Sequence, residues 1–145
     1  KLIDAANFNV GYACCRQLSF GFLDMAWHTL IEPFEGDIIA FEKKAWEQTV
    51  IVPEVADTLM SSNFGHIFSG GYAAGYYGYK WAEVLDADAF ALFKQNGIFD
   101  KETADSFRKN ILEMGGAVDE AVIYRNFRGH DPQPEALMEK LGLTK

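Results

Sequence analysis

Residues 66–81 read His66-Ile-Phe-Ser-Gly-Gly-Tyr72-Ala-Ala-Gly-Tyr76-Tyr77-Gly-Tyr79-Lys-Trp81. A histidine, two adjacent glycines and closely spaced tyrosines predict a loop that runs into a helix. Because each residue of an α-helix turns by about 100°, a helix opened by Tyr72 places Tyr72, Tyr76 and Tyr79 on one face. The opposite face is mainly apolar and carries Tyr77, Trp81, Val84, Leu85 and Leu92.

This tyrosine face has two interpretations. An aromatic stripe at helical spacing is most often part of a hydrophobic core. Here, however, the opposite face already supplies the apolar residues that a core needs. The tyrosine face is therefore predicted to line a binding surface, where its hydroxyl groups find hydrogen-bond partners.

The first half of the chain also follows a helical pattern. Apolar residues three and four positions apart predict a long helix over about 4–30. Asp37 follows a turn at 35–36 and predicts the cap of a short helix that stops between 49 and 53. The β-branched run at 49–52 also suits an extended segment.

Stop signals divide the second half in the same way. Asn96-Gly97 predicts the end of the helix that contains the tyrosines. Asp100 predicts the cap of a further helix, which Gly115-Gly116 ends. Short helices are expected over about 118–127 and 134–141. The predicted fold class is all-α, with one helical domain over residues 1–145.

Composition narrows the class of partner. A net charge of −8 argues against a nucleic-acid surface and against an anionic membrane surface. Neither a membrane-spanning run nor a signal segment is recognisable. The adjacent Cys14 and Cys15 suit a reducing compartment. Short peptides are the expected partners, and the cytoplasm is the expected location.

Three segments resemble the M3 family of zinc oligopeptidases, and within it the peptidyl-dipeptidases. The block at 66–81 resembles the family's His-x-x-x-Gly-Gly-Tyr-x-Ala-x-Tyr-Tyr-x-Tyr loop. Phe22-Leu-Asp-Met-Ala-Trp-His28 resembles a family helix, and Tyr124-Arg-Asn-Phe-Arg-Gly-His-Asp-Pro132 with Leu141-Gly-Leu143 resembles the closing segment. The resemblance implies the C-terminal portion of a larger, mainly helical zincin-type peptidase that releases C-terminal dipeptides.

The resemblance also implies roles within a loop at about 64–80. Tyr79 and Tyr76 match positions that stabilise the tetrahedral intermediate of peptide hydrolysis. The matched substrate-binding positions are His66, Tyr72, Gly70 and Gly71. From the residues alone, a phenol is a suitable donor to the oxygen that becomes anionic in hydrolysis. The glycines permit a loop that closes over a peptide.

The zinc that the family requires is not accounted for within this chain. The family's His-Glu-x-x-His helix is absent, and His28, His66 and His130 lie far apart. His28 and Glu32 have the spacing of a two-ligand clip, although an ordinary helix-end histidine is the commoner case. The expectation is a fragment that binds no metal, is inactive alone and needs the missing N-terminal catalytic portion as its partner.

Other readings of the same residues stay open. A tyrosine-rich face also suits a stand-alone helical module, since such faces bind peptides without catalysis. An M3 enzyme that cleaves internal peptide bonds is a second alternative. Arg125 and Arg128 are candidates for a substrate carboxylate, although arginines at helix ends usually face solvent.

Overall fold

The computed structural model describes residues 1–144, with the side chains of all of these apart from residues 3, 4 and 6. Within this range the chain is helical and contains no β-strand, which confirms the all-α fold class. The helices are α1 (Leu2–Asn7), α2 (Val10–His28), α3 (Ile38–Trp46), α4 (Gly65–Phe68), α5 (Gly78–Asn96), α6 (Lys101–Phe107), α7 (Glu120–Arg128) and α8 (Glu135–Lys140).

Contacts divide the chain into two compact units, Lys1–Lys80 and Trp81–Lys145. No helix of the described residues has the length and apolar character needed to cross a membrane.

In the first unit, the long helix predicted over 4–30 is broken near its start. Asn9 adopts a left-handed conformation with φ of 57° and separates α1 from α2. Asparagine tolerates this conformation better than most residues, because its short polar side chain can bond locally. The predicted single helix is therefore wrong at this point, whereas its end near residue 30 is confirmed.

Helix α3 begins where the sequence predicted a cap. The Oδ1 atom of Asp37 accepts hydrogen bonds from the N–H groups of Ile39 and Ala40, at 2.9 and 3.2 Å. The run at 49–52 does not form a strand. The core of this unit contains Phe20, Leu23, Phe64, Ile67 and Tyr76, with Trp27, Phe41 and Trp46 packed against them.

A buried carboxylate ties α3 to the segment before α4. Glu42 is 2% exposed. It accepts hydrogen bonds from the backbone N–H of Met60, at 3.1 Å, and from that of Ser61. Trp27 donates through Nε1 to the hydroxyl of Ser61 at 2.8 Å. Residues 60–61 are thus held from both α2 and α3.

The helix predicted to open at Tyr72 instead begins at Gly78. Residues 72–77 form consecutive turns, with hydrogen bonds from Gly75 N–H to the Tyr72 carbonyl at 2.9 Å and from Gly78 N–H to the Gly75 carbonyl at 3.0 Å. The predicted end is confirmed, since α5 finishes at Asn96 and Gly97 has φ of 117°.

In the second unit, Asp100 caps α6 by accepting from Thr103 N–H at 2.7 Å, as predicted. A π-helical turn over Arg108–Leu112 follows, and the chain reverses near Gly116, with φ of 74°. Helices α7 and α8 lie where short helices were expected. Core contacts include Val84, Ala87, Leu137, Phe93, Phe107 and Phe127.

Polar groups are also buried in this unit. The hydroxyl of Tyr124 donates to Asp88 Oδ2 at 2.6 Å. Arg128 donates to the Asp88 carbonyl at 2.8 Å and to Oδ1 at 3.2 Å. Burial, together with the hydrogen bond to Asp88, raises the pKa of Tyr124. Arg128 is therefore committed to Asp88, and Arg125 pairs with Asp131 at 2.8 Å.

Candidate functional site

The structure brings the four aromatic residues of the predicted site together within the first unit. His66 lies on α4, Tyr72 and Tyr76 lie in the turns, and Tyr79 lies at the start of α5. The His66 ring centroid is 5.5 Å from that of Tyr72, 6.1 Å from that of Tyr76 and 6.4 Å from that of Tyr79. We call His66, Tyr72, Tyr76 and Tyr79 the aromatic cluster.

One helical face does not explain this cluster, since Tyr72 and Tyr76 precede α5. The Tyr72 and Tyr79 rings stack, with centroids 5.2 Å apart and planes 12° apart. The Tyr76 ring packs edge-on against Tyr79 at 5.1 Å. The predicted grouping of the tyrosines is thus observed, but turns rather than a helix produce it.

Members of the cluster differ in their access to solvent. Tyr72 and Tyr79 are 39% and 41% exposed, and His66 is also exposed. Tyr76 is 8% exposed and contacts Phe20 and Phe64 in the core. Its hydroxyl donates to Oε1 of Gln17 at 3.1 Å.

The hydroxyl groups of Tyr79 and Tyr72 share a hydrogen bond. This bond is the main cause of a raised pKa at Tyr79, and desolvation adds to it. A phenol with a raised pKa keeps its proton at neutral pH and remains a donor. A hydrogen bond that raises the pKa of Tyr79 is one that Tyr79 donates, so the O–H of Tyr72 is the proton of this pair that remains for a substrate oxygen.

Both glycines before Tyr72 are required by the backbone. A Cβ atom on Gly70 would lie 2.9 Å from both the Cα and the carbonyl oxygen of His66. Gly71 has φ of 81°, which favours glycine. The chain thereby folds back, and Tyr72 N–H donates to the His66 carbonyl at 3.1 Å.

A residue without a predicted role, Asp24, holds the turns in place. Its side chain is fully buried in α2. Oδ1 accepts from Ala74 N–H at 2.9 Å and Oδ2 accepts from Tyr76 N–H at 2.8 Å. His28 Nδ1 lies 2.8 Å from Oδ1 and 2.9 Å from the Asp24 carbonyl oxygen.

Asp24 explains why α5 does not start at Tyr72. The Tyr76 N–H, which a helix opened by Tyr72 would direct to the Tyr72 carbonyl, bonds to the carboxylate instead, and Ala74 takes a left-handed φ of 52°. The turns thus direct the N–H groups of residues on either side of Gly75 at one anion. An acidic residue within an otherwise apolar stretch of α2, Phe20–Trp27, was the available sequence signal.

A small apolar pocket lies beside the cluster. Its volume is about 250 Å³, and its lining includes Tyr76, Tyr79, Leu18, Phe22 and Met25. Tyr79, which is 41% exposed, therefore neighbours both the other residues of the aromatic cluster and an apolar surface. This arrangement suits an extended peptide that presents a carbonyl and a side chain together.

A metal site does not form from the described side chains: no three His, Cys, Asp or Glu groups come together in them. The nearest partner of His28 is Asp24 rather than Glu32. The residues present do not fit the catalytic zinc that the sequence resemblance implies.

A family model and several curated relatives match this chain. The family model for peptidase family M3 matches residues 1–143. Oligopeptidase A of Salmonella typhimurium is 41% identical over 99% of this chain and 21% of its own length. Probable cytosolic oligopeptidase A of Arabidopsis thaliana is 40% identical over 99% of this chain and 21% of its own length.

A relative with a different enzyme name, a dipeptidyl carboxypeptidase, also matches. Dipeptidyl carboxypeptidase of Salmonella typhimurium is 37% identical over 100% of this chain and 22% of its own length. The chain thus spans about a fifth of the length of the curated relatives that it matches.

Proposed function

The chain belongs to peptidase family M3, and we propose that it is the C-terminal portion of a zinc metallopeptidase that hydrolyses short peptides. Within that family we favour the peptidyl-dipeptidase type, which releases dipeptides from peptide C-termini. The observation that carries the proposal is the aromatic cluster, with the partly exposed side chain of Tyr79 beside an apolar pocket.

Tyr79 and Tyr76 are the proposed catalytic donors. Peptide hydrolysis places negative charge on the former carbonyl oxygen, and a donor aimed at that oxygen stabilises the transition state more than the substrate. Tyr79 is exposed, and its hydroxyl becomes a donor to the substrate when it turns away from Tyr72. Tyr76 shares this role once its hydroxyl turns from Gln17 to the substrate.

Substrate binding is assigned to His66, Tyr72, Gly70 and Gly71. His66 and Tyr72 present exposed polar edges next to Tyr79. The glycine pair brings backbone close to the same surface.

In the parent enzyme, zinc is proposed to be held outside this chain, in the N-terminal catalytic portion, and the isolated 145 residues are predicted to be inactive. The parent is assigned to the cytoplasm.

Kinetics of the full-length parent test the role of Tyr79. Tyr79→Phe should lower kcat by about 10²- to 10³-fold, the range for loss of one oxyanion donor, with little change in KM. Tyr77→Phe is the matched control, since Tyr77 is 59% exposed. An undiminished kcat in Tyr79→Phe would overturn the assignment, and unchanged peptide binding without any turnover by the parent would favour the binding-module alternative.

Product analysis tests the enzyme type. Mass spectrometry of digests should show dipeptides released stepwise from free C-termini, and C-terminal amidation of the peptide should suppress cleavage. Internal fragments from amidated peptides would instead indicate an endo-oligopeptidase. Zinc-dependent cleavage by the isolated chain would contradict the proposed division between its two portions.

A further inference from the structure

We propose that Asp24 and His28 form a positioning pair for the aromatic cluster. The carboxylate of Asp24 fixes the backbone of the turns at 72–77, and the imidazole of His28 fixes the carboxylate. This inference rests on the proposed function, because it concerns how the hydroxyl of Tyr79 is aimed at a substrate.

The first step is from Asp24 to the turn. Its two carboxylate oxygens bond the N–H groups of Ala74 and Tyr76, at 2.9 and 2.8 Å. These amides flank Gly75, so the planar carboxylate fixes the orientation of both peptide units. Hydrogen bonds to a charged group are stronger than neutral ones, and burial strengthens them further.

The second step is from the turn to Tyr79, along two routes. The Tyr76 carbonyl accepts the N–H of Tyr79 at 3.2 Å, so the backbone of Tyr76 sets the start of α5. The Tyr76 ring also packs edge-on against the Tyr79 ring at 5.1 Å. A displaced Tyr76 would therefore shift both the backbone and the ring of Tyr79.

The third group is His28, one helical turn after Asp24. Its Nδ1 lies 2.8 Å from Asp24 Oδ1, the oxygen that also accepts from Ala74. The His28 side chain is 23% exposed, whereas that of Asp24 is fully buried. The imidazole, which lies nearer the protein surface, thus limits rotation of the carboxylate by contacting Oδ1. Oδ2 stays available to the Tyr76 N–H.

A double-mutant cycle in the full-length parent tests the pair. Asp24→Asn keeps the shape of the side chain but turns an NH₂ group toward one of the two amide donors. We expect kcat to fall about 10- to 100-fold, as for a small misplacement of a catalytic group. In a Tyr79→Phe background the same substitution should cost less than it does in the wild type, because the Tyr79 hydroxyl is already absent and only Tyr76 remains to be displaced.

Glu42→Gln is the matched control. Glu42 is also a buried carboxylate that accepts from two loop amides in the same unit, but those amides belong to Met60 and Ser61. Its effect on kcat should be the same in the wild-type and Tyr79→Phe backgrounds. If Asp24→Asn acted only through a general loss of stability, its effect on kcat would likewise be the same in both backgrounds.

Each outcome separates the inference from the proposed function. Suppose that the single variant Tyr79→Phe loses turnover, and that Asp24→Asn lowers kcat by the same factor in the wild-type and Tyr79→Phe backgrounds. The positioning role is then overturned and the proposed function stands. If Tyr79→Phe alone keeps full turnover, both are overturned. Should Asp24→Asn fail to fold, His28→Gln takes its place in the cycle, with a smaller loss expected, and additivity with Tyr79→Phe again overturns the pair.

Discussion

The side chains of Tyr72 and Tyr79 are joined twice, by stacked rings and by a hydrogen bond between their hydroxyl groups. The stacking keeps the two rings parallel, and the hydrogen bond raises the pKa of Tyr79. Tyr72 therefore acts on the site through Tyr79 as well as through any contact of its own with a peptide.

Tyr72→Phe should lower the pKa of Tyr79 toward the ordinary tyrosine value of 10.0, because it removes the hydroxyl partner and keeps the ring. Alkaline titration of tyrosinate absorbance isolates the Tyr79 signal when wild type is compared with Tyr79→Phe and Tyr72→Phe is compared with Tyr72→Phe/Tyr79→Phe. Tyr77→Phe serves as the control. An unchanged Tyr79 midpoint in Tyr72→Phe would show that the hydrogen bond does not raise the pKa.

The Tyr124–Asp88 hydrogen bond predicts a loss of stability at alkaline pH. The folded protein holds the Tyr124 proton more tightly than the unfolded chain does, since its pKa is raised. Stability from this group is therefore complete below the ordinary tyrosine pKa of 10.0 and declines as pH rises above it. Urea unfolding as a function of pH, followed by circular dichroism, measures this decline.

Tyr124→Phe should remove that alkaline decline and lower the free energy of unfolding at neutral pH. The expected cost is about 1–3 kcal/mol, because a buried hydrogen bond to a charged group is lost. Arg128 remains bonded to Asp88 and limits the cost. Equal stability of Tyr124→Phe and wild type at neutral pH would contradict this account.

Local signals explain how much of the fold could be predicted. Asp37 and Asp100 cap the helices that were predicted from them, and Gly97 ends α5, because caps and stops depend on groups within a few residues. The start of α5 depends on Asp24, which bonds to amides 50 and 52 residues away. No local pattern contains that partnership.

In the site, too, local features could be predicted from the sequence and long-range contacts could not. Sequence spacing grouped Tyr72, Tyr76 and Tyr79 correctly, but it could not show that Tyr76 is buried against Phe20 and Phe64. Burial depends on segments that meet only in the folded chain. Asp24 was missed for the same reason, since a lone acidic residue in a helix is usually solvated.

The Asp100 cap predicts a change in acid. Hydrogen bonds from Thr103 lower the pKa of Asp100 below its ordinary value of 3.8. Its contribution to α6 is present above that value and is lost as pH falls through the lowered pKa. Asp100→Ala should therefore destabilise the protein at neutral pH, and the difference from wild type should shrink in acid.

Asp100→Asn is the control for this prediction, since asparagine caps a helix without a titrating charge. It should retain most of the stability and lose the acid dependence. Hydrogen exchange of the α6 amides measures both effects. An acid dependence that survives in Asp100→Asn would assign it to another group.

Alanine substitutions at three glycines should distinguish positions where the backbone requires glycine from positions that only lie near the aromatic cluster. Gly71→Ala should cost about 1–2 kcal/mol, because a Cβ atom is strained in the left-handed conformation. Gly70→Ala should also disturb the turns, since its Cβ would meet the backbone of His66 at 2.9 Å. Gly75→Ala should be tolerated, because its Cβ would lie no closer than 3.5 Å to the atoms around it.

Unfolding of each variant, together with kcat/KM of the parent enzyme, measures the difference among these glycines. Gly70→Ala and Gly71→Ala should lower both, because the fold-back at 70–72 places His66 beside Tyr72. Gly75→Ala keeps the N–H groups of Ala74 and Tyr76 that bond Asp24 and should remain close to wild type. Damage by Gly75→Ala equal to that by Gly70→Ala would mean that the turn at 72–77 tolerates no side chain, whatever the local contacts.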